Sequence, residues 1–457
     1  MKTDTSPTID LIKQLVDASR MIAVKKLSRN DRSWAEVDLN RENGDKKSNQ
    51  GGPYIPFEIR RDEFFPCLSA KNASKPHILE ALVETCWLRT GEIRECRLVN
   101  YSNKGKECHL TRVPKEEFSG IGPASFLVIG KAGNGSHIPY SCLVVDSAED
   151  DACAFLETLF DITPSFEARL FSGLPSELVR EDDAIANAIL NAIATGGLES
   201  LFMSWDIPKP VLLASEAQGI YLSKYNLKSL NPFDLSCPGD ALMEISRDIE
   251  LGIYMKHHTR HYAAKMVGVL AGGQPNPSLA DMIGALARNF GVLYKEVMLS
   301  AVQRMKARAG ASFEHHVRRM LIDGRLPFDE QKPSGNQRPD FILPSLVRLH
   351  LTTRSRDEAL ILSLKTTLRE RWKQVVKEVR NCDVFLATVD DKVAADAIAD
   401  MRNDGIYLVV PESLKRSAYA EYEGRSNVIT FKEFFESDIA LKRKPIWLAA
   451  KIPCAFG

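Results

Sequence analysis

The clearest alternation of apolar and polar positions lies between residues 338 and 380. Phe341, Ile342 and Leu343 form a short apolar run bounded by Pro339 and Pro344, which predicts a buried strand. After a polar connector, Leu360, Leu362 and Leu364 alternate with Ile361, Ser363 and Lys365, the period of two of a second strand whose other face presents Lys365. Trp372, Val375, Val376 and Val379 then recur at i, i+3, i+4 and i+7, the apolar stripe of an amphipathic helix. Arg371, Gln374 and Glu378 share its polar face. Two more strands are predicted over 383–389 and 407–411 with a helix between them, a βαβ unit that extends the sheet. The C-terminal half is therefore expected to be α/β, a mixed sheet flanked by helices.

The N-terminal half patterns differently. A short helix over 9–28 and a polar loop over 29–53 precede several short apolar runs, among them 96–101, 126–129 and 142–145. Turn-forming clusters separate the runs, which predicts a mostly β domain to about residue 160. The stretch 130–136 places Lys131 before its glycines, the reverse of a phosphate loop, and reads as a hairpin turn. A helix is expected over 181–203, stopped by Gly196 and Gly197, and a Pro-rich extended connector over 205–238. The pattern is helical over 239–309. A further helix over 313–323 has Ser312 as cap, Gly324 as stop and Phe313, Val317, Met320 and Leu321 as buried stripe. His257 and His261 lie one turn apart without a third ligand, so packing or phosphate contact is expected there rather than metal. The expected organisation is a β-rich domain over 1–170, a linker over 171–238 and an α/β domain over 239–457.

Composition narrows the class without deciding it. With 457 residues, 44% hydrophobic and 26% charged, the chain has the make-up of a globular protein of two or three domains. Sixty basic and sixty acidic residues cancel, so no global field draws it to nucleic acid. Locally the balance differs, with six basic residues against two acidic ones between Lys365 and Arg380. Nine cysteines without a CxxC pair fit free thiols in a reducing compartment. No apolar run reaches the length of a membrane span, and the expected location is cytoplasmic.

The chemistry sits where the pattern is sharpest. An acid at a strand (Asp340), a lysine on its neighbour (Lys365) and an acid on the following helix (Glu378) can converge. Phosphodiester cleavage with Mg²⁺ needs hard oxygen ligands, here Asp340 and Glu378. It also needs a cation near the phosphate, here Lys365.

Four segments carry a specific likeness: 365–372 (KTTLRERW), 312–316 (SFEHH), 339–341 (PDF) and 401–411 (MRNDGIYLVVP). Over roughly 240–415 the chain resembles the EcoRII-type type II restriction endonucleases of the PD-(D/E)xK nuclease superfamily. In that group the acid usually found two residues before the lysine is displaced to a helix thirteen residues beyond it. This chain has Ser363 at the first place and Glu378 at the second. The resemblance implies Glu314 as a further acidic site residue. It also implies that Arg369, Glu370 and Arg371 read CC and GG steps in the major groove. The physics agrees, because arginine donates twice to guanine and a carboxylate accepts from cytosine. Some relatives carry a tyrosine shortly after the Pro-Asp strand, where this chain has 346–350 (LVRLH) and none.

A weaker likeness covers the N-terminal half, whose KKLS and YIP segments resemble the effector DNA-binding pseudobarrel of the same enzymes. It implies that Lys25, Lys26, Arg29, Lys104, Lys106 and Arg112 grip a second DNA copy. Taken together, the resemblance implies a Mg²⁺-dependent homodimer cutting double-stranded DNA at a CCNGG- or CCWGG-like site, stimulated by a second site. A cognate DNA methyltransferase would be its genetic partner. A DNA-binding regulator with a silent core, or a repair nuclease that reads DNA structure, stands as the alternative.

Overall fold

The computed structural model describes residues 7–39, 51–61, 63–102, 107–133, 138–160, 162, 166–171, 178–272, 274, 277–332, 338–368 and 381–452. The chain forms two compact units. The first takes residues 1–176 with the short segments 391–395 and 416–423, and the second takes the remainder.

The first unit is built on a sheet of eight strands: β1 (Ser19–Lys26), β2 (Ser69–Ala70), β3 (Ile78–Trp87), β4 (Glu92–Tyr101), β5 (Cys108–Thr111), β6 (Phe126–Ala132), β7 (Tyr140–Val145) and β8 (Ala168–Phe171). The order is β5-β4-β3-β7-β6-β1-β8, with β2 on β3. Every pair is antiparallel except β3 with β7. Both faces are covered, and β1 shows why its pattern is continuous rather than alternating. Met21 and Ala23 enter one apolar layer with Trp34, Trp87 and Phe118. Ile22 and Val24 enter the other with Ile12, Leu15 and Leu156. A strand buried on both sides loses its polar positions. This unit has the mostly β character that the short apolar runs predict. The expected helix over 9–28 is shorter: α1 (Pro7–Ala18) gives way to β1 because Ile22, Ala23 and Val24 serve the sheet. The start of the expected loop at 29 is a helix, α2 (Arg29–Leu39). Helix α3 (Asp150–Leu159) buries Ala152, Cys153 and Leu156 against the second layer.

The second unit surrounds a six-stranded sheet: β9 (Asp329–Glu330), β10 (Phe341–Leu343), β11 (Leu360–Leu364), β12 (Asp383–Ala387), β13 (Ile406–Val410) and β14 (Val428–Thr430), in that spatial order. β9, β10 and β11 form an antiparallel meander, whereas β11 to β14 run parallel. All five residues of β11 and of β12 are buried, as expected where parallel strands have both faces covered. The expected linker over 171–238 instead holds three helices of this unit: α4 (Leu178–Thr195), α5 (Leu198–Ser204) and α6 (Pro210–Lys224). The extended reading over 205–238 fails because Pro210 occupies the first turn of α6, where its missing N–H is harmless. Leu213, Ala214, Ala217 and Tyr221 then bury one side of that helix.

Further helices are α7 (Pro238–Met243), α8 (Glu250–Ala271), α9 (Leu279–Val292) and α10 (Ser300–Asp323). The expected cap at Ser312 is not a cap, since α10 starts twelve residues earlier and Ser312 is buried within it. Its predicted stripe is buried as expected, with Phe313, Val317, Met320 and Leu321 all at 0% exposure. A polar knot ties α10 to α6 and α8. Glu250 accepts hydrogen bonds from Arg308 and from His316 Nε2, the latter at 2.8 Å. Gln218 Nε2 lies 3.0 Å from His316 Nδ1. All four side chains are buried. With Nδ1 accepting from the amide and Nε2–H donating to the carboxylate, both ring nitrogens are satisfied. α11 (Leu346–His350), α12 (Ala395–Asn403) and α13 (Glu412–Lys415) complete the elements used below. Among the described residues no helix is long and apolar enough to cross a membrane.

Candidate active site

Antiparallel pairing of β10 with β11 brings the entry of one strand beside the exit of the other. The register sets Phe341 against Leu362 and Leu343 against Leu360, so Asp340 arrives opposite Ser363. Its Oδ2 accepts from the Leu364 amide at 2.6 Å and lies 3.4 Å from Lys365 Nζ. The Lys365 backbone N–H continues the β11–β12 ladder, donating to the Ala387 carbonyl at 3.0 Å. Its ammonium also donates to the Leu364 carbonyl at 2.8 Å. Strand pairing thus holds the backbone on both sides of this ion pair, while about a quarter of the lysine side chain, 26%, stays in solvent.

Glu314 reaches the same place from α10. Gln331 Nε2 donates to its Oε2 at 2.7 Å, and the Gln331 backbone N–H donates to the Asp340 carbonyl at 3.0 Å. Gln331 sits at φ 48°, a left-handed conformation at the end of β9 that lets one residue serve both partners. Burial pushes the Glu314 carboxyl above its usual range, and the charge of Asp340 pushes it further. Lys365 acts in the opposite sense.

Gln331 is absent from the sequence reading, where a single glutamine in a polar turn gives no signal. Asp390 is another such residue: it is buried, and its Oδ2 accepts from the Leu368 amide at 2.9 Å. It anchors the backbone where the chain leads into 369–371.

The structure brings together Asp340, Lys365 and Glu314. Glu378, Arg369, Glu370 and Arg371 lie outside the described residues, as do Lys104 and Lys106. The other expected DNA-gripping residues fall in the first unit. Lys25 is buried and paired with Asp31, and desolvation lowers its pKa. Lys26 is buried and paired with Asp391, in the short segment that belongs to the same unit. Arg29 donates to the Ala420 carbonyl at 2.7 Å, and exposed Arg112 pairs with Glu95 at 3.0 Å. His261 packs its ring 4.6 Å from that of Phe202, with Nδ1 3.2 Å from the Trp205 carbonyl. Of the packing or phosphate contact expected for this pair, these are packing contacts of His261.

Among the described residues one group brings three metal-type donors within 4.8 Å of one another: Cys237, Asp240 and Glu412. Both carboxylates are engaged as reciprocal helix caps. Glu412 accepts from the Asp240 and Lys432 amides, each at 2.9 Å. Asp240 accepts from the Ser413 amide at 2.9 Å and from its hydroxyl at 2.6 Å. Helix N-termini supply that demand without an ion.

Residues 289–435 match the family model described as EcoRII C terminal. The chain is 33% identical over 140 residues to the type II restriction enzyme EcoRII of Escherichia coli, a match covering 30% of this chain and 35% of that enzyme. It is 27% identical over 161 residues to the type II restriction enzyme SsoII of Shigella sonnei, covering 33% and 51% respectively. The chain therefore spans a third to a half of the length of these relatives. Among solved structures, metal-depleted Ecl18kI in complex with uncleaved DNA is similar with a TM-score of 0.43 and 21% identity, over 56% of this chain and 85% of that one. The matched segment holds Glu314, Asp340 and Lys365 together with the sheet that positions them, and over it the chain is similar to the C-terminal part of EcoRII.

Proposed function

We propose that this chain is a type II site-specific deoxyribonuclease that cuts double-stranded DNA with a divalent metal, Mg²⁺ being the physiological ion. The observation that carries the reading is the placement of Asp340 Oδ2 3.4 Å from Lys365 Nζ at one end of the β10–β11 pair, with Glu314 close enough to feel both charges. Two carboxylates stand near one ammonium, and the Glu314 carboxyl is raised first by burial and then by the charge of Asp340. Such a set of hard oxygen donors fits a divalent cation. Asp340, Glu314 and Glu378 would hold it. When bound, it would stabilise charge on the phosphate and make its water more acidic. Lys365 contributes a second positive charge beside the scissile phosphate. Asp340 both orients that ammonium and fixes the strand end from which it projects.

Arg369, Glu370 and Arg371 would read G·C pairs of a CC/GG-containing site, by the donor and acceptor pattern of the major groove. A palindromic target suits a homodimer. The first unit would bind a second copy of the site and stimulate cutting. The test is a digest of plasmid carrying several CC-N-GG sites, with Mg²⁺ and with EDTA, followed by end sequencing. Discrete metal-dependent fragments with a common end sequence support the reading. DNA that stays intact with any divalent ion and with added cognate duplex overturns it in favour of a DNA-binding regulator. Cleavage without a common sequence favours a structure-directed repair nuclease.

A further inference from the structure

Gln331 directly follows β9 and is exposed, so no core asks for a glutamine there. Its backbone and its side chain are nevertheless engaged around the site. The backbone N–H extends the β9–β10 ladder one residue beyond the Glu330–Phe341 pair, donating to the Asp340 carbonyl at 3.0 Å. The backbone carbonyl accepts from Arg338 Nε at 2.6 Å. The side-chain Nε2 donates to Glu314 Oε2 at 2.7 Å. All of this happens at φ 48°, in the left-handed region that glycine and asparagine enter most easily. Glycine would suit that backbone but carries no donor, and asparagine is one methylene shorter. Strain of this kind at an exposed position points to a role for the side chain, and this side chain ends on Glu314.

We propose that Gln331 is a positioning residue of the active site, holding the Glu314 carboxylate in the orientation in which it takes up a divalent cation jointly with Asp340. The two carboxylates are tied in the same manner. Glu314 is held through Oε2 by the Gln331 amide, and Asp340 through Oδ2 by the Leu364 N–H and the Lys365 ammonium. Each keeps its other oxygen, Oε1 and Oδ1, as the hard donor that such an ion needs. Glu314 comes from α10 and Asp340 from the entry of β10, and Gln331 bonds to both, to one through its side chain and to the other through its backbone. It therefore sets the spacing across which an ion is shared. The terminal torsion of a glutamate is broad, so without a donor at Oε2 the carboxylate would have to be ordered by the ion itself, at a cost in affinity. Hydrogen-bonding partners behind a ligating carboxylate are worth about 10–100-fold in metal affinity. The proposal rests on the nuclease reading, but its test reads metal binding rather than cutting.

The test is Mn²⁺ binding by the full chain without DNA, read from the rise in melting temperature with Mn²⁺ concentration. Gln331→Met keeps the length of the side chain and removes the donor; it should weaken Mn²⁺ binding about 10-fold. Without metal it should melt within about 2 °C of wild type, as expected for an exposed position. Gln331→Asn suits the left-handed backbone better but falls short of Glu314, and it should weaken Mn²⁺ binding to a similar degree. In a Glu314→Ala background, itself weakened, adding Gln331→Met should change the affinity by less than about 2-fold, because the partner through which Gln331 acts is gone. Wild-type Mn²⁺ affinity in either single variant overturns the proposal. So does a loss of the same size with and without Glu314, which would mark a merely structural role. A wild type that Mn²⁺ does not stabilise overturns the proposal together with the nuclease reading, whereas one that shows the expected Mn²⁺ pattern but cuts no DNA counts against the nuclease reading alone.

Discussion

Replacing Glu250 with glutamine tests how much of the second unit depends on the knot between α6, α8 and α10. The carboxylate is fully buried and accepts from two donors, Arg308 and His316. An amide of the same shape keeps one acceptor and turns an N–H₂ toward the other donor. It also leaves the Arg308 guanidinium, 7% exposed, without its counter-charge. Breaking a buried pair from one side costs about 3–5 kcal/mol, and the retained hydrogen bond brings the estimate to about 3. For a unit of this size that corresponds to a melting temperature lowered by roughly 6–12 °C. Calorimetry of the full chain at neutral pH reads it directly.

The pH dependence gives a second handle on the same substitution. Burial alone would raise the Glu250 carboxyl, but the hydrogen bond with His316 and the charge of Arg308 bring it below its usual value. A carboxyl depressed in the folded state stabilises above its unfolded value, about 4.3, and loses that contribution as pH falls through the folded value. The gap between wild type and Glu250→Gln should therefore narrow in acid. A gap under about 1 kcal/mol at neutral pH, or one that widens as the pH falls, would refute the reasoning.

Three further expectations concern the site and its frame. Lys365→Ala should abolish cleavage while leaving DNA binding and the melting temperature close to wild type, because its ammonium is partly exposed and the strand ladder uses only its backbone; measurable cutting by the pure variant would contradict it. Arg369→Ala should reduce discrimination at one G·C pair by about 1–3 kcal/mol, read as relative cleavage of single-substituted sites, and an unchanged preference would count against base readout. Asp383→Asn removes the carboxylate that fully buried Arg443 shares with Arg356 and Lys442, leaving Asp438 as its remaining partner, and should cost about 2 kcal/mol of stability. Burial raises the Asp383 carboxyl but those cations hold it below its usual range, so its contribution should fade as acid titrates it, and an unaltered melt would exclude the clamp.

The strands around the site were legible because their side chains answer to burial. Phe341–Leu343 is apolar throughout and bounded by prolines, and Leu360, Leu362 and Leu364 alternate at the period of a strand, patterns that little else fits. Asp340 and Lys365 stand out as charges at the ends of those runs. Glu314 did not: on a helix whose stripe lies one residue away, only likeness to relatives marks it. Gln331 and Asp390 were invisible because each acts through a backbone amide at a distance set by the fold. The helix at 210–224 was misread for a related reason. Proline counts against a helix except in its first turn, and pattern alone does not say which residue opens the turn. The Ser312 cap was likewise a local preference overruled by packing along a continuous α10.

The antiparallel meander also separates what must stay fixed from what is free to vary. Asp340 and Lys365 meet at one end of the β10–β11 pair, while the chain linking the strands turns at the other. That turn carries three consecutive exposed residues, 351–353. A peptide inserted between Thr352 and Thr353 lengthens a surface loop, and each doubling of loop length costs only about 0.6 kcal/mol. The strand register does not pass through that point, so the spacing of the two charges is insulated from it. The same loop is the place to graft a fluorophore or an affinity tag, and the place where length can drift between descendants without moving the chemistry.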